Sequence, residues 1–511
     1  MRGLVWILAF AGFTVFSGCG ASRNDPGMLN PPDPPATDSI SGSVTYKGAP
    51  LGGVTVTLWM TNTNSIIATA TTDSNGAYSF SGLKTTGNVP GKYHLWATKA
   101  GYGFGPSVGS GAKAIRADHT GQFIQTEVFG VPIYLTVIDY VALPNASMTG
   151  ANFLAYDGRN PLVSLAASGQ SASYATGDDG SHQDDGITWP TPRFTDNLDG
   201  TVTDGLTGLT WLKDASCLAP AAWSAALTDV NGLASGACGL ADGSSAGQWR
   251  LPNLVELESL IDVSAANPAI PSGHPFVRVS NAVYWTSTSY FGGEEGSPNA
   301  WAIRMGDGQY VNDGALNAKS TALNGVWAVK GSSSGPAKLQ ATGLYVPFES
   351  GDDGTLESGV WLVYPRFMEN NDGTVSDTMT GLVWMKAANC IHDDWAGAID
   401  AVKALANGQC GLSDGSAPGA WRMPNRTEMQ SLADRNENNE ADYLSYTFRN
   451  QDQSVFQQAI FNNFIRTQYY WTSSTDAADT TEAWTVYSCD YGVYALSKNA
   501  AGYTLAVRQP R

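Results

Sequence analysis

One stretch occurs twice in this chain, and no other feature limits the possible fold as strongly. The first copy reads Pro192-Arg-Phe-Thr-Asp-Asn-Leu-Asp-Gly-Thr-Val-Thr-Asp-Gly-Leu-Thr-Gly-Leu-Thr-Trp-Leu-Lys-Asp-Ala-Ser-Cys217, and the second runs from Pro365 to Cys390 as PRFMENNDGTVSDTMTGLVWMKAANC. After each copy the same landmarks return in the same order. They are Trp223 and Trp395, Cys238 and Cys410, and a Trp-Arg-x-Pro-Asn-x-x-Glu box from Trp249 to Glu256 and from Trp421 to Glu428. Tyr-Trp-Thr-Ser follows at Tyr284 to Ser287 and Tyr470 to Ser473, then Trp301 and Trp484, then a closing Ala-Val-Lys/Arg at Lys330 and Arg508. One module has therefore been made twice, over residues 168–332 and 339–511.

Because each copy can be read against the other, the order of elements is well constrained. The Asp-Gly turn in Asn197-Leu-Asp-Gly200-Thr-Val marks a tight hairpin leading into the strand Gly208-Leu-Thr-Trp-Leu. Trp223, Leu227, Val230 and Leu233 share one helical face, as do Trp395, Ile399, Val402 and Leu405. Asn253 with Glu256, and Asn425 with Glu428, have the spacing of a capping box with Asn in the cap, so a second helix starts there. Strands are expected at Tyr284 to Ser287, Trp301 to Met305 and Val326 to Lys330, which makes each unit α+β. Trp211, Trp249, Trp285 and Trp301 sit at fixed places within the repeat, which favours core packing over an exposed platform for stacking sugars.

Residues 39–140 have a different texture. Val54, Val56 and Leu58 alternate with threonines after a Gly48-Ala-Pro-Leu-Gly-Gly turn, and Tyr78 and Phe80 alternate after Asp73-Ser-Asn-Gly76. These are half-buried antiparallel strands. Together with Ile40-Ser-Gly-Ser-Val and Gly91-Lys-Tyr-His-Leu they resemble the carboxypeptidase regulatory-like family of small β-sandwiches, modules that usually act as spacers on bacterial surface proteins. Residues 141–167 show no clear periodicity and read as a linker.

The start of the chain points to export. Met1-Arg2 is followed by an apolar run from Leu4 to Phe16 and by Ser-Gly-Cys19, a secretory pattern too short to span a bilayer. It resembles a bacterial lipobox, with Phe16 where leucine is usual, so Cys19 becomes the lipidated first residue of the mature chain and 1–19 the signal peptide. Gly20 is not the aspartate that retains lipoproteins at some inner membranes, so the expected address is the bacterial outer membrane or cell surface. The proline-rich segment 20–38 is then a stiff spacer from that membrane.

Charge and cysteine usage narrow the partners. The net charge is −18, with 17 acidic against 7 basic residues in 168–332 and 21 against 11 in 339–511, so each copy carries about −10. Such a surface repels phosphates and sulfates, and nucleic acid is excluded as a partner. Cys217 with Cys238 and Cys390 with Cys410 form one matched pair per repeat, read as disulfides in an exported protein. Zinc is the competing reading, but no histidine recurs near either pair. Cys489 has no counterpart and reads as a buried thiol.

The repeat motifs Arg-Phe-x-(Asp/Glu)-Asn-x-Asp-Gly-Thr-Val-x-Asp, Thr-Gly-Leu-x-Trp, Trp-Arg-x-Pro-Asn-x-x-Glu and Tyr-Trp-Thr-Ser resemble the bacterial surface domain family of the Legionella collagen-like adhesin C-terminal domain, over nearly all of both copies. The resemblance implies an attachment role, and the family's named member binds sulfated glycosaminoglycans. The acidity of both repeats here departs from that. The element order also resembles the C-type lectin-like fold, so the expected architecture is α+β (C-type lectin-like) tandem repeats behind an N-terminal all-β sandwich.

Two clusters are candidate sites. Asp196, Asn197, Asp199 and Asp204, matched by Glu369, Asn370, Asp372 and Asp377, offer closely spaced oxygens of the kind calcium takes, although a hairpin turn explains the Asp-Gly pair without metal. Glu294-Glu295-Gly-Ser-Pro-Asn299 with Asn312 and Asp313 faintly resembles the calcium and sugar ligands of C-type lectins, without an equivalent in the second repeat. Catalytic signatures are missing: the five histidines form no paired metal motif, and there is no Gly-x-Ser-x-Gly elbow or phosphate loop. A formylglycine-generating-type oxidase is the enzyme alternative, on topology alone. The main expectation is non-catalytic binding of a glycan, matrix polymer or surface protein by a membrane-anchored chain; the alternative is a structural envelope protein with no soluble ligand.

Overall fold

The computed structural model describes residues 38–46, 48–60, 65–83, 91–99, 103–106, 114–115, 126–128, 131–133, 137–142, 147–148, 153–156, 162–182, 185–290, 298–311, 315–344, 347–361, 366–435 and 461–510. The signal, Cys19 and the spacer up to residue 37 lie outside them. No helix among the described residues is long and apolar enough to cross a membrane.

The N-terminal unit is all-β. Its first strand, Asp38–Tyr46, pairs antiparallel with Ala77–Leu83, and a second sheet runs in the order Ser65–Thr71, Thr55–Met60, Gly91–Thr98, Val137–Ala142, Ala114–Ile115. The alternation read from the sequence buries Val54, Val56 and Leu58 with Ile40, Val44, Tyr78, Phe80 and Leu95 in one core. The stretch 141–167, read as a linker, contributes strands. Ser147–Met148 and Phe153–Tyr156 both pair parallel with Asp38–Tyr46. Two- to four-residue strands are too short to show a period, which is why the sequence hid them.

Both repeats are mostly β-sheet with short helices, and they fold alike. In the first, Phe194–Asp196, Thr201–Asp204, Thr210–Leu212 and Val329–Lys330 form a four-stranded sheet. Leu218–Ala221, Asn324–Val326, Val283–Ser289, Ala300–Arg304 and Tyr310–Val311 form a five-stranded one. The second repeats both sheets with Phe367–Glu369, Thr374–Asp377, Val383–Met385 and Val507–Arg508, then Ile391–Asp393, Gly502–Thr504, Tyr469–Thr475, Glu482–Tyr487 and Val493–Ser497. The single strand expected at Val326 to Lys330 is split: Asn324–Val326 and Val329–Lys330 belong to different sheets, so the chain crosses between them at Trp327, which is fully buried.

Trp395–Ala404 starts at a side-chain cap, Asp394 accepting from the Gly397 amide, whereas its counterpart Trp223–Asn231 starts after Ala222 without one. Trp223–Asn231 and Trp395–Ala404 bury Trp223, Leu227 and Val230, and Trp395, Ile399 and Val402. Asn253 accepts from the Glu256 amide and Glu256 reaches back to the Asn253 amide, a complete capping box that Asn425 and Glu428 repeat. Cys217 is bonded to Cys238 and Cys390 to Cys410, with Cα–Cα 5.7 Å in both. Each bridge fastens a loop against the hairpin turn. Gly200 and Gly373 adopt φ of +85° and +83°, and a Cβ there would lie 2.3 and 2.2 Å from the carbonyl oxygens of Gly239 and Gly411, so only glycine fits.

The segments ahead of the repeats cross to the other repeat while keeping a foothold on their own, where the Val263 amide donates to Ser168 O and the Arg435 amide donates to Thr342 O. The first arm, 162–187, packs on the second repeat: the Val163 amide donates to Met379 O, and the Thr475 amide donates to Gln170 Oε1. The second arm, 337–360, packs on the first: the Ala337 amide donates to Leu206 O, and Asn253 Nδ2 donates to Ser358 O. Trp484 and Val493 of the second repeat share a hydrophobic core with the first. The tandem is therefore one packed body.

Candidate functional site: the hairpin carboxylates, the arm grooves and the contact between repeats

The candidate calcium residues are placed by the hairpin of each repeat, and each residue has a partner within its own repeat. Asp196 is paired with Lys213 Nζ at 2.6 Å, which holds its carboxyl below the usual range. Asn197 Nδ2 donates to Thr201 and Thr203, and Asp199 accepts from the Thr201 amide and hydroxyl. Asp204, fully buried, takes Arg193 Nε and Nη2 at 3.1 and 3.0 Å and the Thr207 hydroxyl at 2.9 Å. The second repeat matches each one: Glu369 with Lys386, Asn370 with Thr374 and Ser376, Asp372 with Thr374, and Asp377 with Arg366 Nε and Nη2, both 2.9 Å.

These residues do not fit a calcium cage, because Asp196, Asp204, Glu369 and Asp377 are already neutralised by a lysine or arginine, while Asp199 and Asp372 accept from the amide and hydroxyl of Thr201 and Thr374 within the turn. Among the described residues no group of three His, Cys, Asp or Glu side chains is placed to hold a metal ion. The sequence showed oxygen-bearing residues at close spacing but could not show the cations that meet them. Of the second cluster, Asn299 is described, at the bridge Asn299 to Ala318; Glu294, Glu295, Asn312 and Asp313 lie outside the described residues. Trp211, Trp249, Trp285 and Trp301 are at most 2% exposed, so they are core. Cys489 is a free, partly exposed thiol whose pKa is raised by burial.

The best-built polar sites are the two grooves that hold the arms. In the first repeat, Asp353 of the second arm is buried and accepts from Thr288 Oγ1 at 2.7 Å and Thr342 Oγ1 at 2.6 Å. Thr288 Oγ1 in turn accepts from the Leu254 amide at the start of the capped helix. Lys319 lies 4.3 Å over the Trp223 ring and 4.5 Å over the arm's Phe348, and donates to Ser289. Asp352 beside it caps the short helix Asp353–Leu356 by accepting from the Thr355 amide.

The second groove repeats this residue for residue. Ser474 Oγ donates to Asp179 Oδ2 at 2.5 Å and accepts from the Arg426 amide. Lys498 lies 4.1 Å over Trp395 and 4.8 Å over the arm's Tyr174, and Asp178 caps the turn Asp179–Ser181. Here the groove adds Arg422, which pairs with both Glu428 and the arm's Asp185, and Lys403 Nζ, which donates to Thr176 O.

Electrostatics in the grooves follow from burial. Asp179 and Asp353 are each pushed up to about 7, with hydroxyl hydrogen bonds only partly opposing the loss of water. Burial pulls Lys319 down to about 8 and also lowers Lys498. The arm motif, Tyr174-x-x-x-Asp178-Asp179-Gly180 and Phe348-x-x-x-Asp352-Asp353-Gly354, was visible in the sequence as a third duplicated block. It lies ahead of the long contiguous match that begins at Pro192 and Pro365, separated from it by residues that differ between the copies.

Where the repeats meet, Arg426 makes two 2.9 Å contacts to Glu258, donates to Gly308 O and lies 4.4 Å over Trp484. Arg435 stacks on Trp301 at 4.9 Å. A cavity of about 90 Å³ lies between the repeats, with Leu165, Val255, Glu258, Tyr310, Leu339 and Gln340 among its walls.

Fold and sites together define a duplicated, disulfide-closed β-rich module carried behind a β-sandwich. The chain belongs to the family of the Lcl C-terminal domain, which matches residues 200–330 and 373–508. The carboxypeptidase regulatory-like domain matches residues 39–106, and neither family is a catalytic one. No curated protein matches the chain.

Proposed function

We propose that this is a lipid-anchored bacterial surface protein that attaches non-catalytically to a glycan, matrix polymer or surface protein through two C-type lectin-like α+β domains. The observation that carries the reading is membership of the Lcl C-terminal domain family in two copies that span more than half of the chain, a domain that suggests a surface-exposed, adhesin-like protein. Cys19 is the lipidation site in this reading, and the outer membrane or cell surface is the address. Glu295, Asn299, Asn312 and Asp313 are the candidate ligand-binding residues in this reading, because the hairpin carboxylates are committed to internal partners. The net charge of −18 directs the choice of ligand toward neutral or cationic partners.

An array of neutral glycans, sulfated polymers and matrix proteins, probed with and without a calcium chelator, tests the reading. Binding to neutral or basic partners with none to sulfated polymers is the expected result. Silence on every partner would favour the structural envelope reading, which the internal pairing of all eight hairpin residues also supports. Replacing Cys19 by alanine is expected to move the protein from the membrane fraction to the soluble one.

A further inference from the structure

We propose that the first arm, residues 162–187, is a transferable docking segment: released from its own second repeat, it occupies the same groove of a second copy of this chain and links the two. This goes beyond the attachment reading and does not depend on it. The groove is built twice, and it accepts its arm from opposite directions along the chain. The second arm follows the first repeat directly, through the short polar stretch 331–336, whereas the first arm reaches the second repeat from the far side of the whole first repeat. Recognition therefore rests on the local set of aromatic ring, capping aspartate and buried acid, and any chain that presents this set meets an equal groove.

The connection on the other side of the arm permits the transfer. Thr188 to Pro192 joins the arm to the first repeat and contains two prolines, a short, stiff hinge of the kind that lets an element be exchanged between identical chains. The contacts that hold the arm can be remade unchanged in another copy: the polar ones, Asp179 with Ser474, Gln170 Oε1 with the Thr475 amide, Asp185 with Arg422 and Tyr174 over Lys498, and the apolar one of Val163 against Met379. Within a chain, tethering favours its own arm; at high protein concentration a neighbour's arm competes.

Ionisation of Asp179 sets how readily the arm leaves. It faces Ser168 on its own arm, and Ser474, Glu428 and Arg422 of the second repeat; Glu428 opposes its ionisation and Arg422 favours it. Lys498 faces the neighbouring Asp178. With its carboxyl about half ionised near pH 7 in the docked state, raising the pH from 6.0 to 8.5 makes the open arm about tenfold more populated and exchange correspondingly faster.

The test mixes two differently tagged full-length preparations in detergent, in a Cys489→Ser background, at pH 6.0 and at pH 8.5. Both are returned to pH 6.0 and purified through one tag. Recovery of the second tag, about tenfold faster at pH 8.5, is expected. A variant carrying Asp179→Cys and Ser474→Cys, oxidised within each chain, is expected to give no mixed species. A third arm mixes chains carrying only Asp179→Cys with chains carrying only Ser474→Cys and is expected to give a disulfide between chains. Absence of mixed species in the unlocked protein at both pH values, or equal amounts in the locked one, overturns the proposal.

Discussion

Asp353 shows how one buried residue ties stability to pH. Its folded-state pKa is about 7 against an ordinary 3.8, because burial disfavours the charge more than Thr342 and Thr288 favour it. The stabilisation that depends on the neutral acid is fully present below about pH 4 and is lost as pH rises to about 7. Thermal melts of Asp353→Asn are therefore expected to match the wild type at pH 4 and exceed it at pH 8, and an equal loss at both would contradict the assignment. Arg426 poses the opposite case, a buried cation held by Glu258. Removing the carboxylate by Glu258→Ala leaves the guanidinium unpaired and is expected to cost about 3–5 kcal/mol in denaturant unfolding. The residue-level sites were only partly legible in sequence: Asp196, Asp199 and Asp204 drew notice as oxygen ligands, while Lys213 and Arg193, which neutralise Asp196 and Asp204, carried no such signal.

At the scale of elements, the capped helices and the bridges were the most legible parts. Asn253 and Glu256 satisfy each other's backbone amides, a local interaction set by a spacing of three, so no distant residue is needed to place the helix start. Asn425→Ala is expected to cost about 1 kcal/mol, read from the urea midpoint at constant slope. Loss of the Cys217–Cys238 bridge by a double serine substitution is expected to cost about 2–4 kcal/mol, and equal stability in the variant would mean that the unfolded chain gains little freedom. The shortest strands were the least legible: Ser147–Met148 is fixed by its partner across a sheet, and the strand expected at Val326 to Lys330 is divided because its two ends pair in different sheets.

The whole molecule behaves as a closed pair in which each repeat is completed by the arm that precedes the other. The second repeat expressed as 366–511, without the first arm, is expected to be less stable than the intact tandem. It should recover when a peptide of residues 162–187 is added, with calorimetry reporting the binding. A second repeat equally stable alone would show that the groove does not need its arm.

What the sequence determined alone was everything short in range or repeated: the duplication, the capping boxes, the alternation of the sandwich strands, the matched cysteines and the excess of acid. These depend on spacing along the chain, which a sequence displays directly. Only the tertiary structure decided that each arm reaches the other repeat, that Asp196, Asp204, Glu369 and Asp377 face lysine or arginine, and that Arg426 and Glu258 meet. Those outcomes depend on groups far apart in sequence losing water together, and no spacing rule records where such groups come to lie.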